Sequence, residues 1–296
     1  MNLNRHKETL TGLLFIAPSF IGFMIFTIIP VIAALFLGFT KWSVAKGISS
    51  AQFVGIDNFA RMISDEWFTS SFINQIIYSI FSVPVTMAFA LIFAVLLNTD
   101  LNFKKTVRTM FFLPYISNVV VIAAVWMIIM GNGGPVYGFL KFIGIEEIPY
   151  FFMDSKWVMP MIITIGIWVN LGYNVVVYLA GIQDIPRELY EAATVDGTNI
   201  FQKFYYITVP MLTPSTFFLL VTGIIGSFTN VFGLVNIITQ GGPGNASSVL
   251  VYYIYRVSYI FRDMGYGSAI AGIMFVTVLA ITLIQWQGQK KWVNYF

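Results

Sequence analysis

The chain has 296 residues, of which 58% are hydrophobic and only 10% charged, and its formal net charge is +3. Soluble domains carry about 25% charged residues, so this composition excludes an ordinary soluble domain, and no nucleic-acid partner is expected. With no cysteine, and with His6 in the polar N-terminal tail as the sole histidine, thiol chemistry is excluded and neither a metal centre nor a catalytic site is expected.

Six apolar stretches, residues 10–39, 72–97, 110–130, 157–182, 207–238 and 264–287, contain no Asp, Glu, Lys or Arg. Each reaches the ~20 residues needed to cross a ~30 Å hydrocarbon core. Lipid offers the backbone no hydrogen-bond partner, so such spans are expected to be helices. The predicted fold class is an all-α membrane protein with six transmembrane helices. No glycine/serine linker or periodic repeat divides it, which predicts a single domain over residues 1–296.

The first stretch is too long for a cleavable signal and follows Arg5 and Lys7. The positive-inside rule then predicts a cytoplasmic N-terminus and, after six crossings, a cytoplasmic C-terminus carrying Lys290 and Lys291. By that topology nine Lys/Arg lie inside and seven outside, Lys46 among the latter, and the cluster Lys104-Lys105-Arg108 is the better signal. In the first outside loop, the stretch at Phe53-Val54-Gly55-Ile56-Asp57-Asn58-Phe59 reads on its own as an amphipathic interfacial helix. Pro84 and Pro114 should kink the second and third spans. Asn118, one turn beyond Pro114, is expected to bond a neighbouring helix. Gly131-Asn132-Gly133-Gly134-Pro135 breaks the third span and lacks the Lys-Ser/Thr of a phosphate-binding loop.

In the fourth span, Asn170 and Asn174 are four apart and share a helical face, with Tyr173 beside them and Gly172 between. Neutral hydrogen-bonding groups beside an aromatic ring suit a polyol, whose hydroxyls need partners and whose apolar faces pack on rings. Interhelical hydrogen bonding is the alternative. The polar segment 184–206 follows. Pro186 suits a first helical turn, Asp184 is the expected N-cap, and Gly197 suits a left-handed helix end. Thr198 is expected to cap a second short helix reaching about Ile207. Residues 207–255 then run 49 positions without a charge. Gly223 and Gly226 allow close helix approach, and Ser227 and Asn230 share a face with Phe228 nearby. Thr239-Gln240-Gly241-Gly242-Pro243 cannot continue a helix, and the tyrosine-rich residues 249–261 read as an interfacial helix.

Glu191-Ala192-Ala193, three residues, Gly197, nine residues, then Ile207-Thr208-Val209-Pro210 resembles the EAA signature of binding-protein-dependent ABC importer permeases, with Val209 where Leu is common. Residues 239–243 resemble the extracellular loop of carbohydrate-type permeases. Leu171-Gly172-Tyr173 is similar to a substrate-lining stretch of maltose-type members; residues 53–59 resemble a recurring stretch of sugar-importer permeases, which implies a short helix capped by Asp57, and residues 262–269 also follow the family order. The resemblance implies a type I importer permease fold in a prokaryotic cell membrane and import of a carbohydrate. It implies four kinds of partner: a second homologous permease, two ABC ATPase subunits, an extracytoplasmic solute-binding protein and membrane lipid. ATP and Mg would be used by the ATPases, with no cofactor on this chain. By the same resemblance Glu191 meets a basic ATPase residue, Ala192, Ala193 and Gly197 permit close packing, and Gln240, Gly241, Gly242 and Pro243 face the binding protein. Asn170, Gly172, Tyr173, Asn174, Ser227, Phe228 and Asn230 are the expected substrate pathway. The alternatives are a secondary transporter, which would ordinarily need an ionisable intramembrane residue, or a permease for a polyol or glycerophosphate.

Overall fold

The computed structural model describes residues 2–43, 45, 47, 50–98 and 104–293, and for residues 2–10, 104 and 105 the backbone alone. Lys46 and the side chains of Arg5, Lys7, Lys104 and Lys105 therefore lie outside the described part. The chain forms two compact units, Met1–Asp65 with Ile254–Phe275, and Glu66–Tyr253 with Val276–Phe296. Among the described residues, six helical stretches are long and apolar enough to cross a membrane: Thr11–Leu37, Glu66–Asn98, Val119–Phe142, Val158–Gln183, Thr213–Ile238 and Met264–Gln289.

In the first unit, α1 (Asn2–Phe23) passes through a wide π turn, Met24–Ile28, into α2 (Ile29–Leu37). The π turn lies immediately before Pro30, whose missing N–H removes the regular bond to the Phe26 carbonyl. No described side chain of residues 11–37 is buried; Phe15 and Phe26 are more than four-fifths exposed. A helix apolar all round with no buried side chain among the described residues fits a hydrocarbon surrounding. Two short strands, β1 (Thr40–Lys41) and β2 (Gln52–Phe53), pair antiparallel with Thr40 opposite Phe53. This ribbon has no counterpart in the sequence reading. Then comes α3 (Asp57–Ser64), whose N-cap is Ile56: Asp57 is its first residue and makes no side-chain cap, correcting the expected role. Buried Asn58 donates to the carbonyls of Gly38 (2.8 Å) and Thr40 (2.9 Å), which holds α3 on the strand. Arg61 pairs with Asp263 at 2.8 Å and lies 4.0 Å over the Tyr266 ring, while the Tyr266 hydroxyl donates to Asp65. Replacing Asn58 with Leu leaves two carbonyls without their donor, for a loss of about 1–3 kcal/mol. A lowered unfolding temperature at unchanged expression checks this.

The second unit contains α4 (Glu66–Asn98), α5 (Lys104–Ile116), α6 (Val119–Met130), α7 (Pro135–Phe142), α8 (Val158–Gln183), α9 (Arg187–Val195), α10 (Ile200–Lys203), α11 (Val209–Met211), α12 (Thr213–Thr229), α13 (Val231–Ile238) and α14 (Leu250–Tyr255), with the later turns of α15 (Met264–Gln289). The central pair is α4 and α8, with α5 against α8, α12 against α4, and α13 against α6. The third span is not the single helix over 110–130 that was expected. Ser117 turns its hydroxyl to the Leu113 carbonyl (2.7 Å), and Asn118 takes an extended backbone and accepts the Val120 N–H (2.8 Å). Asn118 is thus the N-cap of α6 rather than a bond to a neighbouring helix. Its short side chain competes with helix continuation here, as Asn does at caps generally. Glycine opens the closest approach in this unit: a Cβ on Gly172 would sit 2.0 Å from the Phe111 carbonyl oxygen of α5.

Residues 249–261 are not a free surface helix. Leu250, Tyr252, Tyr253 and Val257 are buried, and the segment passes from α14 into a π turn, Arg256–Ile260.

Candidate functional site

A cavity of about 160 Å³ opens among α4, α5, α8 and α12. From α4 come Tyr78, Ser82 and Thr86, at successive turns of one face. Gly166 of α8 leaves room for the Tyr78 ring, since a Cβ there would lie 2.3 Å from its hydroxyl. From α8 come Asn170, Tyr173 and Asn174, and from α12 Thr222, Ser227 and Asn230. Tyr115 of α5 stacks on Tyr173, with centroids 5.0 Å apart and planes at 18°, giving the cavity an aromatic wall. No lining residue carries a formal charge.

The two asparagines of α8 are anchored within their own helix. Asn170 donates to the Gly166 carbonyl at 2.8 Å and Asn174 to the Asn170 carbonyl at 2.9 Å. Each amide keeps its oxygen and a second N–H for other partners. The bonds these two residues make run along their own helix, not to a neighbouring one as the alternative reading would have them. Two residues of the expected pathway lie elsewhere. Gly172 faces α5, on the side where only hydrogen fits. Phe228 is wholly buried, so it packs the helices and offers no surface to a solute. Ser227 is nearly buried and bonds Ser79 of α4 at 2.7 Å. The α4 residues and Tyr115 escaped the sequence reading. Their signal was the run Ser71, Gln75, Ser79, Ser82 and Thr86, a polar stripe at helical spacing inside an apolar span.

Residues 184–208 form the second feature. α8 continues to Gln183, and the Asp184 N–H bonds the Ala180 carbonyl at 3.1 Å. Asp184 therefore ends α8 instead of capping α9, whose N-cap is Pro186. Gly197 has φ +77°. Its N–H reaches the Thr194 carbonyl at 3.1 Å, and the Thr198 N–H reaches Ala193 at 3.0 Å, the two bonds that close a glycine-ended helix. Thr198 also donates its hydroxyl to Ala193 and does not cap the next helix. That role belongs to Asn199, which exchanges reciprocal bonds with Gln202, both 2.8 Å. A second π turn, Phe204–Thr208, precedes Pro210. Lys203 donates to Thr194 at 2.7 Å and Tyr190 shares a bond with Thr208 at 2.9 Å, so α9 and α10 are braced as one piece. Glu191, Ala192 and Gly197 are exposed and Ala193 half-buried. Around them Val195, Ile200 and Phe201 are each more than 80% exposed. That much exposed apolar surface on a polar segment is characteristic of a protein or membrane contact.

The third feature is the loop after α13. Gln240 and Gly241 have φ of +50° and +82°. Gly241 is buried and Gly242 and Pro243 partly so, leaving Gln240 exposed. Ser247 donates to the Gly242 carbonyl at 2.6 Å and to Thr239 at 2.7 Å, closing the loop on itself.

Residues 60–289 match the family described as binding-protein-dependent transport system inner membrane component. Over 293 residues the chain is 36% identical to the probable ABC transporter permease protein YesP of Bacillus subtilis, covering 98% of this chain and 93% of that one. It is 33% identical to the sn-glycerol-3-phosphate transport system permease protein UgpA of Agrobacterium fabrum, with 95% of each covered. Among solved structures, a bacterial alginate ABC transporter in complex with alginate pentasaccharide-bound periplasmic protein superposes with a TM-score of 0.83 at 25% identity, over 97% of this chain and 96% of that one.

Proposed function

Because this chain belongs to the family of binding-protein-dependent transport system inner membrane components, we propose that it forms one half of the path by which an ATP-driven importer carries a neutral sugar or oligosaccharide across a prokaryotic cell membrane. The fold is that of a type I ABC importer permease. The observation that carries the substrate class is the cavity's chemistry: amides, hydroxyls and a stacked tyrosine pair, with no cation to neutralise a phosphate or uronate. At about 160 Å³ it is smaller than the roughly 300–1,000 Å³ of self-sufficient ligand sites. That size supports a shared site, completed by a second homologous permease.

Hydrolysis is assigned to two separate ATPase subunits, which use ATP and Mg. Residues 184–208 meet one of them through Glu191, the small residues Ala192, Ala193 and Gly197, and the exposed apolar side chains beside them. Both termini are placed in the cytoplasm, so the loop at Gln240, Gly241, Gly242 and Pro243 faces an extracytoplasmic binding protein. ATP binding closes the ATPases and moves α9 and α10, the permease pair opens outward to take the released sugar, and hydrolysis resets it. Glycerol phosphate and alginate, named for two of the relatives, are anionic, whereas the uncharged lining of this cavity supports a neutral solute.

The test is uptake into vesicles by the complete reconstituted complex, with neutral oligosaccharides, glycerol phosphate and uronate oligosaccharides compared side by side. Neutral sugars should be carried and the two anions should not. Preferential uptake of either anion overturns the substrate class.

A further inference from the structure

The buried polar face of α4 reaches from the loop at 239–248 to the cavity without interruption. At the loop, Asn74 donates from one amide nitrogen to the carbonyls of Asn245 (3.0 Å) and Ser248 (2.9 Å). Ser71 and Ser248 share a hydroxyl bond at 2.7 Å, and Asn245 donates to Ser70 at 2.8 Å. The next residue, Gln75, is fully buried and points to α12. Its amide donates to the Ser227 carbonyl at 3.0 Å and to Ser79 at 3.3 Å, and Ser79 bonds the Ser227 hydroxyl at 2.7 Å.

The Ser227 carbonyl is one of those released where α12 ends and α13 begins, at Asn230. Gln75 therefore holds the break that carries Asn230 into the cavity. Its side-chain Oε1 is buried and accepts no hydrogen bond among the described residues, while its backbone carbonyl accepts the Ser79 hydroxyl at 2.9 Å. Buried polar atoms are ordinarily satisfied, so Gln75 keeps an acceptor for a further partner beside this break.

We propose that Asn74 and Gln75 are positioning residues that join the binding-protein-facing loop to the cavity wall, so that a partner seated on the loop acts on Ser227 and Asn230 through α4. The inference rests on the functional reading above. Neither residue lines the cavity, and their effect is on the link between the two sites.

The experiment uses the full complex in lipid nanodiscs and compares ATPase activity with and without sugar-loaded binding protein. Asn74→Leu and Gln75→Leu keep approximate size and remove the bonds; Ile73→Ala, at an exposed position of the same helix, is the control. In both test variants the stimulated-to-basal ratio should fall roughly fivefold or more, the low end of coupling between distant sites. Basal ATPase activity and subunit co-purification should stay at wild-type levels, and the control should keep the full ratio. Should Asn74→Leu fail to assemble, Ser248→Ala, which removes only the hydroxyl pair with Ser71, gives the same reading with a smaller fall. A wild-type ratio in both leucine variants overturns the inference, as does a loss that only parallels lost assembly. A wild-type complex that no binding protein stimulates overturns the functional reading itself.

Discussion

Replacing Gly197 with Val is expected to cut uptake by about tenfold while the chain still enters the membrane. The backbone there has φ +77°, a conformation that disfavours an L-residue by about 1–2 kcal/mol, and 1.4 kcal/mol is a factor of about ten in an equilibrium. A Cβ on Gly197 would meet nothing within 4 Å, so crowding is not the cause. What is lost is the glycine-ended closure at Ala193 and Thr194, and with it the fixed angle between α9 and α10. An ATPase seated on that pair depends on the angle. Co-purification of the ATPase should therefore fall along with uptake, at unchanged membrane yield. Normal uptake and normal co-purification would remove the assignment of residues 184–208 as the coupling segment.

Gly172→Val should act through stability instead. A Cβ there would lie 2.0 Å from the Phe111 oxygen, 2.5 Å from its carbonyl carbon and 2.8 Å from the Phe112 Cα. All three are backbone atoms, so no rotamer change relieves the overlap and α5 must move off α8. Overpacking usually costs about 1–3 kcal/mol, and with backbone on the other side the upper end applies. Because Tyr115 rides on α5 and stacks on Tyr173, the aromatic wall of the cavity moves with it. The expected result is a large drop in thermal midpoint and yield. An unchanged midpoint would mean that α5 and α8 do not touch at this point.

Which parts of this were legible beforehand follows from the physics of each. Lipid imposes helices on any long uncharged run, so six crossings could be read from composition along the chain. Gly197 could be read because few residues tolerate its backbone. The capping roles were harder, since Asp184, Pro186, Thr198 and Asn199 stand close together and the choice depends on how far α8 runs. The reciprocal Asn199–Gln202 pair was a better signal than Thr198. Pro30 and Pro210 each follow a π turn ending two residues earlier, whereas Pro135 opens α7 without one, a difference that only the backbone displays. Spacing alone put Phe228 beside Asn230; only the structure shows that the first is wholly buried and that the second, at the end of α12, lines the cavity. Nothing in the sequence shows that Gly172 meets the α5 backbone while its neighbours Asn170 and Tyr173 line the cavity.

The central claim is that the uncharged cavity conducts the sugar. Asn174 and Asn230 stand on α8 and α12, on opposite sides of the coupling segment in sequence, and both line that cavity. Replacing either by Leu removes the hydrogen-bonding groups at similar size. The decisive measurement is sugar uptake by the reconstituted complex carrying each variant, taken together with its thermal midpoint. Uptake should fall by about tenfold or more, on the scale of one or two hydrogen bonds to the solute, with the midpoint, ATPase assembly and binding-protein affinity unchanged. Full uptake with a lowered midpoint in both variants would contradict the account and make these amides packing groups.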